Sequence, residues 1–411
     1  MTNENATQRP APLAGVRILA VEQMQSMPYA TQLLAQLGAD VVKIEDPQRG
    51  EAGRSSRPSV RDLDDREVGA TFLRNNLFKR SVALDVRTKE GLDLLLRLAP
   101  HFDVVAENFK PGTADKLGFG YAELVAVHPS VIYVSVSGFG SSPDSPYSQW
   151  PAYSATVEAM SGLYEANRAN DEPPRVGVAG PLGDIGTALF AVIGILTALV
   201  ARGQTGQSQR VDVAMFDAVV ALQDMIPFMW SMGERRPAAE RRRSAGILDS
   251  FRAADGYFVL QVVREHQFAR LCQIIGRDEW VDDARFASRT DWGNHLESEL
   301  RPAIEKWASS LSKLDACQLL GDAGVAAAPS NTPAEVLADP HLHAHRMLLP
   351  VERPDADEPF VVVGNPVKID DVPPTGTPAW PRLGQHTDEV LGGDLGLSDE
   401  ELLGLRQRGV I

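Results

Sequence analysis

The sequence predicts an α/β protein: a parallel sheet covered by helices, followed by a smaller α/β unit. Short β-branched runs alternate with helical patterns from Val16 to Ser137, the signature of a sheet with helices on its faces. A second strand-then-helix pattern opens at Tyr257, beyond an Arg-, Pro- and Ala-rich stretch at 233–245 that reads as a linker. Length agrees, because 411 residues at roughly 150 per domain give two units as the working count.

The strands expected in the first unit are Val16 to Val21, Asp40 to Ile44, Ser81 to Leu84, Asp103 to Glu107 and Val131 to Val136. Between the first two, Pro28 suits the first turn of a helix that carries Ala30, Leu33, Leu34 and Leu37 and stops at Gly38. Thr88 can cap a helix whose Leu92, Leu95, Leu96 and Leu98 face the sheet, with Pro100 ending it. Arg49 to Arg74 is charged, aperiodic and punctuated by Gly and Pro, so it reads as a long surface excursion. Ile185 to Ala201 is almost wholly apolar; at under roughly 20 residues it is short for a bilayer span and reads as a buried helix. Gln209 to Val213 and a second apolar helix, Phe216 to Met229, follow. The second unit offers a strand at Tyr257 to Val263 and helices at Glu265 to Ile275, Glu297 to Trp307 and Lys313 to Leu320. Strands at Val361 to Val363 and Val367 to Ile369, then helices near Thr387 to Leu391 and Asp399 to Leu405, complete the chain.

Composition narrows the function. Lys and Arg total 40 against 55 Asp and Glu, a formal charge of −15, which argues against nucleic acid or an anionic membrane as partner. Two cysteines, Cys272 and Cys317, cannot build a disulfide framework or a four-thiolate zinc site, and they suit a reducing cytoplasm. Met1 to Pro12 show no basic segment followed by an apolar run, so no secretory signal is expected.

Several groups have chemistry worth weighing. Asp184 lies in Gly183-Asp184-Ile185-Gly186 at the start of the apolar helix. It reads either as an N-cap or as an ionised, partly desolvated nucleophile kept charged by the helix-start N–H groups, with the flanking glycines leaving room for a bulky reactant. Ser137-Gly138-Phe139-Gly140 ends a strand, where it is a plain turn or a ligand loop. Asn108-Phe109-Lys110-Pro111-Gly112 brings an amide, an aromatic and a cation together at another strand end, a set suited to a nucleotide with phosphates. His341, His343 and His345 alternate, but they follow Asp339-Pro340 with no carboxylate or Cys cluster nearby in sequence, so they read as a loop or helix cap rather than a metal site. Arg241 to Arg243, with Arg235 and Arg236, read as a solvated linker face or a phosphate contact. The two cysteines resemble small core residues.

Taken together, these segments resemble the family III CoA-transferases. The resemblance rests on Pro12 to Leu19, Pro28 to Leu37, Gly38 to Glu45, Lys79 to Asp85, Glu107 to Gly112, Ser137 to Gly140, Gly183 to Ile185 and Leu383 to Leu391. It implies a Rossmann-like large domain with a parallel sheet plus a smaller α/β domain, in a homodimer of interlocked rings. The implied division is 1–228 and 331–411 in the large domain, 229–255 as linker and 256–330 as the small domain. It implies acyl-CoA and a carboxylic acid as substrates, with no tightly bound cofactor and no metal. Asp184 falls on the catalytic carboxylate and Gln25 on its neighbour. Ser26, Leu84, Asn108, Phe109, Lys110, Thr113, Leu117, Ser137 and Gly138 fall on CoA contacts. The implied reaction passes CoA between two acids through an aspartyl anhydride and an aspartyl-CoA thioester. Related α-methylacyl-CoA racemases pair a His with the Asp; here Tyr153 stands at the His position, and its ordinary pKa of about 10 makes it a poor base. A non-catalytic acyl-CoA-binding relative is the third alternative.

The chain departs from the pattern at Asp46 and Ser137, which replace expected cations. Phosphate contacts then fall to Lys110, Arg74, Arg80 or Arg241 to Arg243. Gly246-Ile247-Leu248-Asp249-Ser250-Phe251 stands where oxalate-type enzymes carry a glycine-rich loop. That substitution predicts a larger, less polar acid, with Trp230, Ile247, Leu248 or Phe251 near it.

Overall fold

The computed structural model describes residues 10–166, 168, 172–177, 180–223, 226–235, 246–370 and 376–411. The chain divides into two compact units, Met1–Pro227 with Ala344–Ile411, and Phe228–His343.

The first unit contains β1 (Arg17–Val21), β2 (Asp40–Glu45), β3 (Ser59–Arg61), β4 (Glu67–Gly69), β5 (Arg80–Ala83), β6 (Val104–Glu107), β7 (Ile132–Ser137) and β8 (Gln209–Ala214). Six of these form one sheet in the order β5-β2-β1-β6-β7-β8, and every neighbouring pair is parallel. The five strands expected up to Ser137 are present, each within one residue of its predicted ends. Their sequences run nearly all apolar because both faces of a parallel sheet are buried. Alternation still sorts the side chains: Leu19 and Val21 enter one core layer, Ile18 and Ala20 the other. The first layer is completed by Leu94, Leu95 and Leu98 and by C-terminal Val390, Leu391, Leu402 and Leu405. The second packs Met27, Ala30 and Leu34 of helix Ser26–Ala35 with Ala188, Ala191, Ile195 and Ala198 of helix Leu182–Thr205.

Winding reverses between β1 and β6, and at such a point the loops leaving the two strands part to opposite sides and open a crevice. Parallel strands force their crossover helices to run antiparallel to them. Both helices of the second layer therefore start at the carboxyl edge of the sheet, which brings Gln25 and Asp184 to the same edge. The C-terminal segment closes the β5 edge: Ala83 N donates to Thr387 Oγ1 at 3.0 Å, His386 N to Ser81 O at 2.9 Å and Asp85 N to Val410 O at 2.8 Å.

The second unit holds β9 (Ile247–Ala253), β10 (Gly256–Val262) and β11 (Ala326–Pro329) as an antiparallel sheet in the order β11-β10-β9. Its core joins Phe251, Phe258 and Leu260 to helical Leu271 and Ile304, with Phe268 stacked on Trp292 at 4.4 Å.

Several elements differ from expectation. Residues 247–253, read as part of a linker, form β9, because Ile247, Phe251 and Ala253 place their apolar side chains inward. The 216–229 helix is two helices, Met215–Leu222 and Ile226–Ser231; Pro227 lacks the N–H and crowds the residue four before it, so it fits only a first turn. The strand expected at Val361 to Val363 is present as β13 (Phe360–Val363), but its antiparallel partner is β12 (Leu348–Val351), while Val367 and Ile369, expected as a strand, lie in irregular chain and are exposed. The excursion after Arg49 is not confined to the surface, since Glu51, Arg54, Phe72 and Leu73 are buried. Helix Leu182–Thr205, long and apolar enough to cross a membrane by length and composition, buries only one face; Leu189, Ile193 and Val200 are exposed.

Candidate active site

The two strand ends at the reversal point are tied together. Asn108, just past β6, accepts from Gln23 N at 2.9 Å and donates to Gln23 O at 2.8 Å, so one amide side chain fixes the loop that follows β1. Met24 next to it has φ +63, the left-handed region that a side chain makes costly, and it is held there by Glu51 Oε2 accepting from its N–H at 2.9 Å. Gln25 follows directly, ahead of helix Ser26–Ala35, and its side chain makes no hydrogen bond among the described residues. Strain at Met24 thus sets where Gln25 emerges.

Beneath this loop lies a buried network that sequence reasoning missed. Glu22, Glu45 and Glu51 face Lys43, Lys79 and Arg54, all six buried and equal in number of each sign. Lys79 reaches Glu22 at 2.7 Å, Arg54 reaches Glu45 at 2.7 Å, and Lys43 lies 3.5 Å from Glu22 and 3.9 Å from Glu51. Burial pushes Lys79 down to about 8 against the pull of Glu22. Burial alone would raise Glu22, but Lys79 and Lys43 hold it below the usual carboxylate range. The available signal was Lys43 inside Val41-Val42-Lys43-Ile44, since a charge within a strand buried on both faces must be paired.

Asp184 is the third residue of its helix rather than the cap. The free N–H groups at the helix start go elsewhere: Gly183 N donates to Glu158 Oε1 at 2.9 Å, and Asp184 N donates to Ser154 Oγ at 3.3 Å. Ser154 Oγ in turn donates to Glu158 Oε1, and the Tyr164 hydroxyl donates to Glu158 Oε2. Glu158 is buried on helix Ser154–Met160 and takes the capping role that sequence offered to Asp184. The Asp184 carboxylate accepts no hydrogen bond among the described residues. Burial first, then the like charge of Glu158, pushes it up to about 6, with Arg74 opposing. The expectation that helix-start N–H groups keep it ionised is therefore corrected, although near pH 7 a group at about 6 is still mostly ionised. The flanking glycines do not leave room for a reactant either. A Cβ on Gly183 would lie 2.8 Å from Ser154 Oγ, and one on Gly186 would lie 2.1 Å from Leu222, so both admit neighbouring helices.

The other predicted contacts sit mostly at the same sheet edge. Phe109 packs edge-on to Phe119 at 6.3 Å, and its N–H donates to Glu107 at 2.7 Å. Burial pushes Glu107 up to about 7. Lys110 is exposed, Thr113 opens helix Thr113–Leu117, and Leu117 is half-buried against the core. Ser137 ends β7 with its Oγ buried and unbonded, a polar atom left open to a partner. A Cβ on Gly138 would lie 2.1 Å from Ala152, so that glycine is needed for the chain's own packing. Ser26 is buried at its helix start, and Leu84 is a buried core residue whose N–H donates to Glu45 O at 2.8 Å and whose carbonyl accepts from Val86 N at 3.1 Å.

Cations distribute unevenly. Arg80 is paired with Asp40 and Glu389, while Arg74 lies 5.0 Å from the Tyr29 ring and forms no ion pair within 4 Å among the described residues. Asp46 is not an isolated negative charge: Arg87, which sequence reasoning missed, reaches it at 2.5 Å and also binds Asp85. Arg235 lies 3.9 Å over Trp230, whereas Arg236 and Arg241 to Arg243 fall outside the described residues. Ile247 and Phe251 are fully buried in the second unit's core, so neither is free to line a pocket; Leu248 and Trp230 are exposed. His343 bonds Leu337 O at 2.8 Å, and no group of three or more potential metal ligands occurs among the described residues. Cys272 and Cys317 are free and buried, and burial pushes them up to about 12 and about 11.

Comparison with known proteins bears on this geometry. The family model described as CoA-transferase family III matches residues 13–387. A formyl-CoA:oxalate CoA-transferase of Streptomyces avermitilis is 36% identical over 417 residues, covering 97% of this chain and 99% of the relative. A succinyl-CoA:mesaconate CoA-transferase of Haloarcula hispanica is 34% identical over 386 residues, covering 92% and 95%. Among solved structures, a CaiB/BaiF family protein from Brucella suis aligns with a TM-score of 0.82 at 29% identity, covering 94% of this chain and 100% of that one.

Proposed function

The chain belongs to CoA-transferase family III, and on that premise we propose that it moves CoA from an acyl-CoA donor to a carboxylic acid through Asp184. One observation carries the choice of residue. Asp184 is a half-buried carboxylate with no hydrogen-bond donor among the described residues, at the carboxyl edge of a sheet whose winding reverses there. Unbonded and poorly solvated, it is a stronger nucleophile than a capped one, yet it remains mostly ionised near neutrality.

An Asp184 oxygen attacks the thioester carbonyl, giving a mixed anhydride and CoA thiolate. The thiolate attacks the Asp184 carboxyl carbon, giving the aspartyl-CoA thioester and releasing the donor acid. The acceptor then runs both steps in reverse. Keeping water away from the anhydride preserves the thioester energy. Gln25, at the same sheet edge, is assigned to orient the carboxylate or its oxyanion. CoA is assigned to Ser26, Leu84, Asn108, Phe109, Lys110, Thr113, Leu117, Ser137 and Gly138; the open Ser137 hydroxyl and the exposed Lys110 support this set. The enzyme works as an interlocked homodimer, a state supported by the uncovered apolar face of Leu189, Ile193 and Val200. Its two free cysteines suit the cytoplasm.

The racemase alternative lacks its base, since Tyr153 stands where a His is needed and its side chain is exposed. Purified protein is to be incubated with succinyl-CoA, formyl-CoA or acetyl-CoA against a panel of mono- and dicarboxylic acids in deuterated water. A new acyl-CoA with no deuterium at its α-carbon supports transfer. Deuterium at the α-carbon without CoA exchange refutes it.

A further inference from the structure

Glu158 forms and breaks no bond in the transfer reaction, yet it is the charged group most closely built into the nucleophile's surroundings. It is buried, accepts from Gly183 N at 2.9 Å, and shares with Asp184 N the Ser154 hydroxyl that bridges them. Tyr164 holds its second oxygen. Burial acts to raise Glu158, but these donors, with Leu182 N, keep it below the usual carboxylate range, so it stays charged throughout. The charged groups acting on Asp184 are Glu158 from helix Ser154–Met160 and Arg74 from helix Ala70–Asn75.

We propose that Glu158 is a positioning residue for Asp184: it takes the helix-start donors so that the attacking carboxylate stays unbonded, and its fixed charge favours the states in which Asp184 is acylated. The inference rests on the transferase reading. In the first step a C–O bond forms between Asp184 and the acyl carbon while the C–S bond breaks, its electron pair leaving as CoA thiolate. In the second a C–S bond forms at the Asp184 carboxyl carbon and the anhydride C–O bond breaks, the pair leaving on the donor carboxylate. Negative charge leaves Asp184 in the first step and returns only on deacylation. Repulsion from Glu158 is present before acylation and relieved during it, which is differential stabilisation of the acylated forms.

The test is the pH profile of CoA transfer in Glu158→Gln and Glu158→Asp, with acyl-CoA binding followed separately. Gln preserves shape and, with its amide oxygen at the Oε1 position, the acceptor for Gly183 N and Ser154, while its NH2 turns the Tyr164 contact round and the charge is removed, so the acid limb, set near pH 6 in the wild type, moves down. The rate at about pH 5 relative to about pH 8 then rises roughly three- to five-fold, while acyl-CoA binding is unchanged. Asp keeps the charge, so its limb stays near the wild type. An unmoved limb in folded Glu158→Gln, or an equal shift in both variants, overturns the proposal. Carboxyl 13C NMR of Asp184 in substrate-free wild type and Glu158→Gln reads the same coupling without turnover: a lower titration in the variant supports it, and a titration that does not move overturns it. Absence of CoA transfer in the wild type would instead count against the transferase reading, leaving the NMR result to judge Glu158.

Discussion

Replacing Asp184 by Asn is expected to stabilise the protein while ending turnover. The wild-type carboxylate titrates at about 6, against 3.8 for an ordinary Asp, because folding strips its solvent and sets Glu158 nearby without supplying a donor. That difference corresponds to about 3 kcal/mol against the ionised native state near neutrality. The helix start returns up to about 1 kcal/mol to a negative charge in its first turn, and partial exposure screens the rest, leaving a net gain of about 1–3 kcal/mol for the Asp184→Asn variant. For a unit of this size such a gain raises Tm by roughly 2–8 °C. The pH dependence has a fixed sign. The native state binds the Asp184 proton more tightly than the unfolded chain, so wild-type stability from this group falls as pH rises from about 4 to about 7. The amide of Asp184→Asn has no such proton to bind, and the Tm gap therefore closes as pH is lowered through that window. Scanning calorimetry of both proteins at several pH values across it measures the gap. A variant that is equally or less stable near pH 7, or a gap that does not change with pH, would refute the reasoning.

Two further substitutions test the surrounding frame. Asn108→Ala leaves both polar groups of Gln23 without their partner; at about 1–3 kcal/mol for the lost bonds, kcat/KM for acyl-CoA falls roughly ten-fold, mainly through KM, in steady-state kinetics. Glu22→Gln leaves Lys79 and Lys43 short of a buried carboxylate and costs about 3–5 kcal/mol in urea unfolding; adding Lys79→Met recovers part of that loss, as a double-mutant cycle shows.

The parallel sheet was legible because its strands are short apolar runs bounded by Gly, Pro and capping residues, and those signals are local. Asp184 was legible as a group of interest, but its state was not. Gly183 bonds a carboxylate 25 residues earlier in the chain, and nothing in the spacing reveals that Glu158 and Ser154 claim the helix start. The same limit hid the Glu22, Lys43, Lys79, Glu45, Arg54 and Glu51 network, which assembles from β2, the residue after β1, the residue before β5 and a segment that reads as surface loop. β9 was missed although Ile247, Phe251 and Ala253 all point inward, because the run stands where the resemblance places a glycine-rich loop. Arg87 carries no motif that singles it out, and only the fold brings it to Asp46.

The central claim is that the Asp184 carboxyl carbon becomes covalently activated during CoA transfer. Hydroxylamine added during incubation with acyl-CoA converts such an ester-level intermediate to a stable hydroxamate, which peptide mass spectrometry locates. The expected result is a hydroxamate on Asp184 alone, dependent on acyl-CoA and missing from Asp184→Asn. Vigorous CoA transfer with Asp184 unmodified, or with the adduct on another carboxylate such as Glu158, would contradict it.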